Sequence, residues 1–205
     1  MNYLAHLFLA EHTPESLLGN LLGDFLKGVD KERYSIAIQQ GIELHRKVDA
    51  YTDSHPIVKE AKQLVSASRR RFAGILLDVF YDHFLARNWQ NYSSVTLDDF
   101  SQKVYVILSQ NQSILPDRLQ RALPQMIQQD WLNKYQYISG IEVTLNRMAH
   151  RVNRQGEILA SGIEELTAHY QELDRSFQSF FPELIGYVKT TRSHLKYPDR
   201  MEVGK

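Results

Sequence analysis

The fold class is decided by the segment Leu76-Leu77-Asp78-Val79-Phe80-Tyr81-Asp82-His83-Phe84-Leu85. When this region is drawn as a helix, apolar side chains occupy most of its circumference: Phe72, Ile75, Leu76, Val79, Phe80 and Phe84. A helix that is apolar nearly all round is a buried helix. The segment therefore predicts the central helix of an all-α core.

Two aspartates and a histidine interrupt this apolar helix. Asp78 and Asp82 are four residues apart and share one face, whereas His83 points about 100° further round the axis. A buried carboxylate is costly unless it is paired, hydrogen-bonded or bound to a metal. The two carboxylates either accept hydrogen bonds from tyrosine or arginine elsewhere in the core, or share a cation. The combination with histidine favours the cation.

Composition excludes several classes of protein. The chain has 205 residues, equal numbers of basic and acidic side chains (24 each) and no cysteine. The balanced charge argues against nucleic-acid binding, and the absence of cysteine excludes disulfides and thiolate metal sites. The mean hydropathy of −0.39 argues against a membrane protein. Without a recognisable signal peptide, we expect a cytoplasmic protein with no membrane partner.

Local signals predict one helix after another and no strands. Asn2 can cap a first helix over residues 3–10, and Thr13-Pro14-Glu15 opens a second helix that ends at Lys27 before Gly28. Further helices are predicted over residues 31–52 and 57–67, from a capping box at Thr96 and Asp99, and as one long helical stretch after Gly156. We expect one all-α domain over residues 1–196 and a frayed tail over 197–205.

The second helix carries a polar stripe among its leucines. Ser16, Asn20 and Asp24 follow each other at four-residue spacing, and Gly19 and Gly23 beside them permit close approach of another backbone. Such a stripe is either the solvated face of the helix or the lining of a site. The closely flanking leucines favour a site.

The third helix adds a histidine and two aspartates. His45 and Asp49 lie one turn apart on its apolar face, so they either coordinate one metal or form a buried structural hydrogen bond. Asp53 lies at the following helix junction, as a cleft residue or as a simple cap. His6, in the first helix, is by itself more often a core residue than a ligand.

Imidazole and carboxylate donors therefore concentrate in the first 83 residues. Such donors without thiolate suit Mn²⁺, Mg²⁺, Fe²⁺ or Zn²⁺. The chemistry most often built this way is metal-assisted hydrolysis of a phosphoester, in which the ion polarises the phosphoryl oxygen and acidifies water. From the residues alone we predict a helical metal-dependent phosphoester hydrolase.

Four segments resemble the acyl carrier protein phosphodiesterase family, a relative of the HD-domain phosphohydrolases: residues 2–7 (NYLAHL), 19–25 (GNLLGDF), 41–49 (GIELHRKVD) and 77–85 (LDVFYDHFL). The resemblance implies an HD-like helical bundle. It also implies Mn²⁺-dependent hydrolysis of holo acyl carrier protein that releases the 4′-phosphopantetheine arm, with Mg²⁺ or Fe²⁺ as alternative ions. The chain departs from the ordinary HD pattern because its adjacent pair reads Asp82-His83 rather than His-Asp.

The resemblance also implies roles for individual residues. The expected metal ligands are His6, Asp24, His45, Asp78 and His83. The expected catalytic groups are Asp82, as a ligand or general base, and Asp49 and Asp53, as orienting groups. Acyl carrier proteins are acidic, so we expect docking at Arg69, Arg70 and Arg71 together with Arg46 and Lys47, although adjacent arginines are also common on solvated faces.

Three alternatives stay open at this stage. A phosphohydrolase acting on nucleotides or phospholipid head groups would share the metal site but ignore carrier protein. A non-catalytic carrier-binding protein would need no metal. A helical oxygenase with an iron pair would consume oxygen.

Overall fold

The chain is all-α, as predicted. A computed structural model describes residues 1–26, 30–152 and 155–196, and no β-strand occurs among them. The α-helices are α1 (Tyr3–Phe8), α2 (Pro14–Leu22), α3 (Ile36–Ser54), α4 (Pro56–Gln63), α5 (Ala73–Arg87), α6 (Leu97–Gln110), α7 (Asp117–Gln128), α8 (Trp131–Lys134), α9 (Ile138–Ala149), α10 (Gly156–Ala160), α11 (Ile163–Ala168) and α12 (Tyr170–Lys196).

Helix α5 lies at the centre of the core, as its apolar circumference predicts. It packs against α1, α4, α9 and α12. Leu76, Val79, Phe80 and Phe84 are completely or almost completely buried. Ile75 is an exception to the prediction, because 41% of it is exposed at the rim of a cleft described below. The buried apolar residues of the described helices form one continuous cluster.

Helices α2 and α3 cross at very short range. A Cβ atom on Gly19 would lie 2.3 Å from the carbonyl oxygen of Ile38 and 2.8 Å from the Cα of Gly41. Glycine at both positions is therefore required for this crossing, which confirms the predicted close approach at Gly19. The crossing fixes α2 against the face of α3 that carries the site residues.

Some predicted helix starts are confirmed. Thr13 caps α2 by accepting a hydrogen bond from the amide of Ser16, and Pro14 is the first helical residue. Thr96 and Asp99 pair at the predicted start of α6: the Thr96 hydroxyl accepts a hydrogen bond from the Asp99 amide and donates one to the Asp99 carboxylate at 2.7 Å. Local side-chain chemistry decided these starts.

Other boundaries differ from the prediction. Helix α2 ends at Leu22, and the predicted end at Lys27 and Gly28 lies outside the described residues. Helix α3 begins at Ile36 behind a Ser35 cap, because residues 31–33 form a separate 3₁₀ turn. Helix α4 ends at Gln63 rather than residue 67. The stretch after Gly156 forms three helices instead of one. The predicted frayed tail, 197–205, lies outside the described residues.

No helix in the described part of the chain is both long enough and apolar enough to span a bilayer. The expected cytoplasmic location stays a prediction.

Candidate metal centre

Three of the predicted site residues converge between α1 and α3. The Asp49 carboxylate lies between two imidazoles: its Oδ1 is 3.0 Å from Nε2 of His6 and its Oδ2 is 3.1 Å from Nε2 of His45. The two rings stack with their centroids 3.7 Å apart. These three residues offer ligand atoms that all lie within 4.8 Å of one another. The spacing suits coordination of a single ion.

The backbone of α2 orients His45. The Nδ1 atom of His45 lies 2.8 Å from the carbonyl oxygen of Asn20. Because a carbonyl only accepts, Nδ1 carries the proton and donates it to Asn20, which leaves Nε2 to face Asp49. Gly23 flanks the same ring, and a Cβ atom there would lie 2.2 Å from Cδ2 of His45. Helix α2 thus fixes the position of this imidazole and the proton on its Nδ1 atom.

Burial controls the charges of the cluster. Burial and the neighbouring His45 lower the pKa of His6 to about 3, which keeps this imidazole neutral at pH 7. Burial would raise the pKa of Asp49, but its hydrogen bonds with His45 and His6 hold that pKa well below the usual range. A neutral imidazole and an ionised carboxylate are the forms that bind metal. Burial would lower the pKa of His45, but its hydrogen bond with Asp49 and the charge of Asp24 raise it, so metal binding has to displace a proton from this ring.

Two further carboxylates border the cluster. Oδ1 of Asp24 is 3.7 Å from Nε2 of His45. Oδ1 of Asp78 is 2.8 Å from the α-ammonium group of Met1, which also lies 3.4 Å from Oδ1 of Asp49. One positive charge therefore already sits between Asp49 and Asp78. The side chains of Asp24, Asp49 and Asp78 are 36–40% exposed, so they face a solvent-accessible opening.

The donor set fits a divalent metal ion. Two imidazoles and a carboxylate are a common combination for Mn²⁺, Fe²⁺ or Zn²⁺, and Asp24 and Asp78 provide further oxygen donors beside them. The Nδ1 atom of His6 is buried without a hydrogen-bond partner in the described residues. The cluster therefore supports a site for a divalent metal ion.

Asp82 and His83 are not brought to this cluster. The completely buried Asp82 carboxylate accepts hydrogen bonds from the amides of Leu4 (2.7 Å) and Ala5 (3.1 Å), at the first turn of α1. Asp82 thus does the capping expected of Asn2, whose side chain makes no capping hydrogen bond. The two ring nitrogens of His83 lie 2.8 Å from the Tyr135 carbonyl oxygen and 2.9 Å from the Tyr170 hydroxyl.

Asp53 also lies apart from the cluster. Its side chain is 71% exposed and pairs with Lys62 across the junction of α3 and α4 at 2.8 Å. It is one turn beyond Asp49 on the same helix but faces solvent. The catalytic roles predicted for Asp53 and Asp82 therefore have no geometric support from the cluster.

The predicted docking arginines are largely engaged within the chain. Arg69 contacts Glu164, Glu165 and Ser161, and 16% of its side chain is exposed. Arg70 hydrogen-bonds to the carbonyl oxygens of Val65 and Gln63.

The other predicted docking residues are less constrained. Arg71 contacts Gln155 and lies over the Phe72 ring. Lys47 lies 3.7 Å from Glu43, and Arg46 is exposed. The docking role of all five basic residues stays a prediction.

Sequence reasoning missed several residues around the cluster. A cleft of about 240 Å³ beside it is lined by Asp24 and Asp78 and, from the second half of the chain, by Arg118 and Arg151. The backbone carbonyl of Asn20 was also missed as the group that orients His45. These isolated arginines, one on α7 and one in the turn after α9, have no spacing that distinguishes them from solvated residues, so no local signal could have identified them.

The contact between Gly23 and His45 yields a prediction. In a Gly23→Ala variant the new methyl group would displace the His45 ring, so we expect the affinity for Mn²⁺ to fall at least about tenfold. Calorimetric titration of the metal-stripped protein would measure this loss of affinity.

Gly186→Ala is the matched control, because a Cβ atom there meets nothing within 4 Å. It should leave the affinity unchanged and raise helix stability by up to about 1 kcal/mol. Equal affinity in both variants would contradict the role of Gly23.

The chain is similar to a described protein family over most of its length. Residues 1–184 match the family model described as acyl carrier protein phosphodiesterase. A protein of that name from Yersinia enterocolitica is 39% identical over 190 residues, covering 92% of this chain and 98% of the relative. One from Yersinia pestis is 40% identical over 186 residues, covering 90% and 96%. One from Escherichia coli is 37% identical over 190 residues, covering 90% and 96%. No solved structure matches, so the HD-like arrangement stays a prediction.

Proposed function

Because this chain belongs to the acyl carrier protein phosphodiesterase family, we propose that it hydrolyses holo acyl carrier protein to the apo form and 4′-phosphopantetheine. We propose that the reaction uses a divalent metal ion, and Mn²⁺ is the ion to test first. The observation that carries the metal part of the proposal is the convergence of His6, His45 and Asp49 beside an open cleft. Within the phosphodiester, the bond to be broken is the P–O bond that joins the phosphate of the arm to a serine of the carrier.

We assign metal binding to His6, His45 and Asp49, with Asp78 as an additional oxygen donor at the mouth of the cleft. A divalent ion held there would supply Lewis acidity toward the phosphoryl group and toward the attacking water. The Asn20 carbonyl keeps the Nε2 atom of His45 pointing into the cluster.

Proton transfer needs a carboxylate that reaches the cleft. Asp24 meets this requirement, since it lines the cleft and is partly exposed. Burial and the negative charge of Asp49 raise the pKa of Asp24, which moves this carboxylate toward the range in which a general base works at neutral pH. We therefore assign proton acceptance from water to Asp24 rather than to the fully buried Asp82.

The proposal is tested by incubating metal-stripped protein with holo acyl carrier protein, with and without Mn²⁺, and measuring the intact mass of the carrier. We expect the carrier to lose the mass of the phosphopantetheine arm only when Mn²⁺ is present. Full cleavage in excess chelator would contradict the metal dependence. A stable complex without cleavage under any metal would favour a carrier-binding protein, and neither cleavage nor binding would favour another phosphoester as substrate.

A further inference from the structure

The cleft beside the metal cluster has walls from distant parts of the chain. Asp24 follows α2 and Asp78 lies on α5, whereas Arg118 is the second residue of α7 and Arg151 follows the end of α9. The cleft therefore forms only when the second half of the chain has folded over the metal cluster. Its volume of about 240 Å³ accommodates part of an organic phosphate rather than a single water molecule.

Neither cleft arginine is held by a carboxylate of the described residues, and Arg151 contacts the side chain of Tyr3. Among residues 1–26, 30–152 and 155–196, neither Arg118 nor Arg151 forms an ion pair with a carboxylate, whereas Arg69 forms two. Both residues are exposed at the cleft. The guanidinium carbon of Arg118 lies 5.6 Å from the centroid of the Phe25 ring, which limits the positions of this side chain.

The charges of both arginines and the charge of Asp24 affect the same side chain, Tyr3. Burial and the negative charge of Asp24 raise the pKa of Tyr3, and the positive charges of Arg151 and Arg118 oppose that shift. The Tyr3 side chain thus lies within electrostatic range of Asp24 and of both guanidinium groups, and all four residues line the one cleft.

A bound substrate would add negative charge to this site. The three negative charges of Asp24, Asp49 and Asp78 are offset by the α-ammonium group of Met1 and a divalent ion together. A phosphodiester is itself an anion, so its own charge is left to be offset by further cations. Guanidinium groups are suited to offset it, since their planar donors match the non-bridging oxygens of a phosphate.

We propose that Arg118 and Arg151 bind the non-bridging phosphate oxygens of the substrate and hold its phosphorus at the metal cluster. This inference rests on the proposed function for the identity of the substrate but concerns only the phosphate group. The two arginines supply binding and orientation, and they take no part in proton transfer.

The test compares two ligands that differ only in the phosphate. Calorimetric titration of the protein with 4′-phosphopantetheine and with pantetheine, in Mg²⁺ and separately in chelator, isolates the contribution of the phosphate. In wild-type protein we expect 4′-phosphopantetheine to bind more tightly in both buffers. Arg118→Gln and Arg151→Gln should each weaken its binding by about tenfold or more, with pantetheine unaffected.

Arg121→Gln is the matched control. Arg121 is an exposed arginine one turn beyond Arg118 on α7 and does not line the cleft. We expect it to behave as wild type with both ligands. The proposal is overturned if the wild type does not distinguish the two ligands, or if the two cleft variants retain the wild-type preference.

The inference and the proposed function can fail separately. Cleavage of holo carrier by the cleft variants with wild-type KM and kcat would overturn the inference and leave the function intact. Absence of carrier cleavage by the wild type, together with arginine-dependent preference for the phosphorylated ligand, would overturn the function and support the phosphate site.

Discussion

Asp49→Ala is expected to reduce hydrolysis of holo acyl carrier protein by more than about 100-fold and to abolish measurable Mn²⁺ binding at micromolar metal. Asp49 lies within 3.1 Å of both imidazoles, so its removal deletes the central donor and leaves His6 and His45 against each other. Loss of a group that merely orients a metal ligand typically lowers metal affinity or activity by about 10–100-fold. Loss of a direct ligand should have a larger effect. Carrier mass and metal titration measure the two effects.

Asp53→Ala is the matched control for this prediction. It removes the same functional group one turn further along α3, where the carboxylate is exposed and pairs with Lys62. We expect wild-type activity and metal affinity, with a change in the free energy of unfolding within about 0.5 kcal/mol. If Asp53→Ala lost as much activity as Asp49→Ala, the assignment of the metal centre to the buried face of α3 would be wrong.

Asp82→Ala is expected to lower the free energy of unfolding by about 2–4 kcal/mol. Its carboxylate satisfies the amides of Leu4 and Ala5 in a completely buried position, and each amide left without a partner costs roughly 1–3 kcal/mol. Because these amides begin α1, the helix that carries His6, the variant should also bind Mn²⁺ more weakly. Urea unfolding in chelator measures the stability effect.

Asp117→Ala is the matched control. It removes a carboxylate at the exposed start of α7, and it should change the free energy of unfolding by no more than about 0.5 kcal/mol.

The position of Asp82 also has a pH signature. Burial raises the pKa of Asp82 from 3.8 to about 7, against the opposing effect of its two amide hydrogen bonds. Between these pH values the folded protein binds more protons than the unfolded chain, so the contribution of Asp82 to stability falls as the pH rises from about 4 to 7. Asp82→Asn lacks this titration. The stability of Asp82→Asn relative to wild type should therefore rise over this range, and a constant difference would contradict the burial of an ionisable group there.

Local sequence determined the helices and some of the chemistry of this protein. The apolar circumference of α5, the Thr13-Pro14 start of α2 and the one-turn spacing of His45 and Asp49 depend on residues within a few positions of each other. Helix geometry alone decides which of these side chains share a face. For that reason the all-α class and the pairing of His45 with Asp49 could be predicted before the structure was known.

Tertiary structure decided what each face contacts. Asp78 and Asp82 share a face of α5, yet Asp78 reaches the cleft whereas Asp82 lies beneath the first turn of α1. Likewise, Arg118 and Arg151 become cleft residues only because the start of α7 and the turn after α9 lie beside residues from the first half of the chain. A repeating pattern records the spacing of side chains along a helix. It carries no information about which distant helix covers them, because that depends on the packing of the whole core.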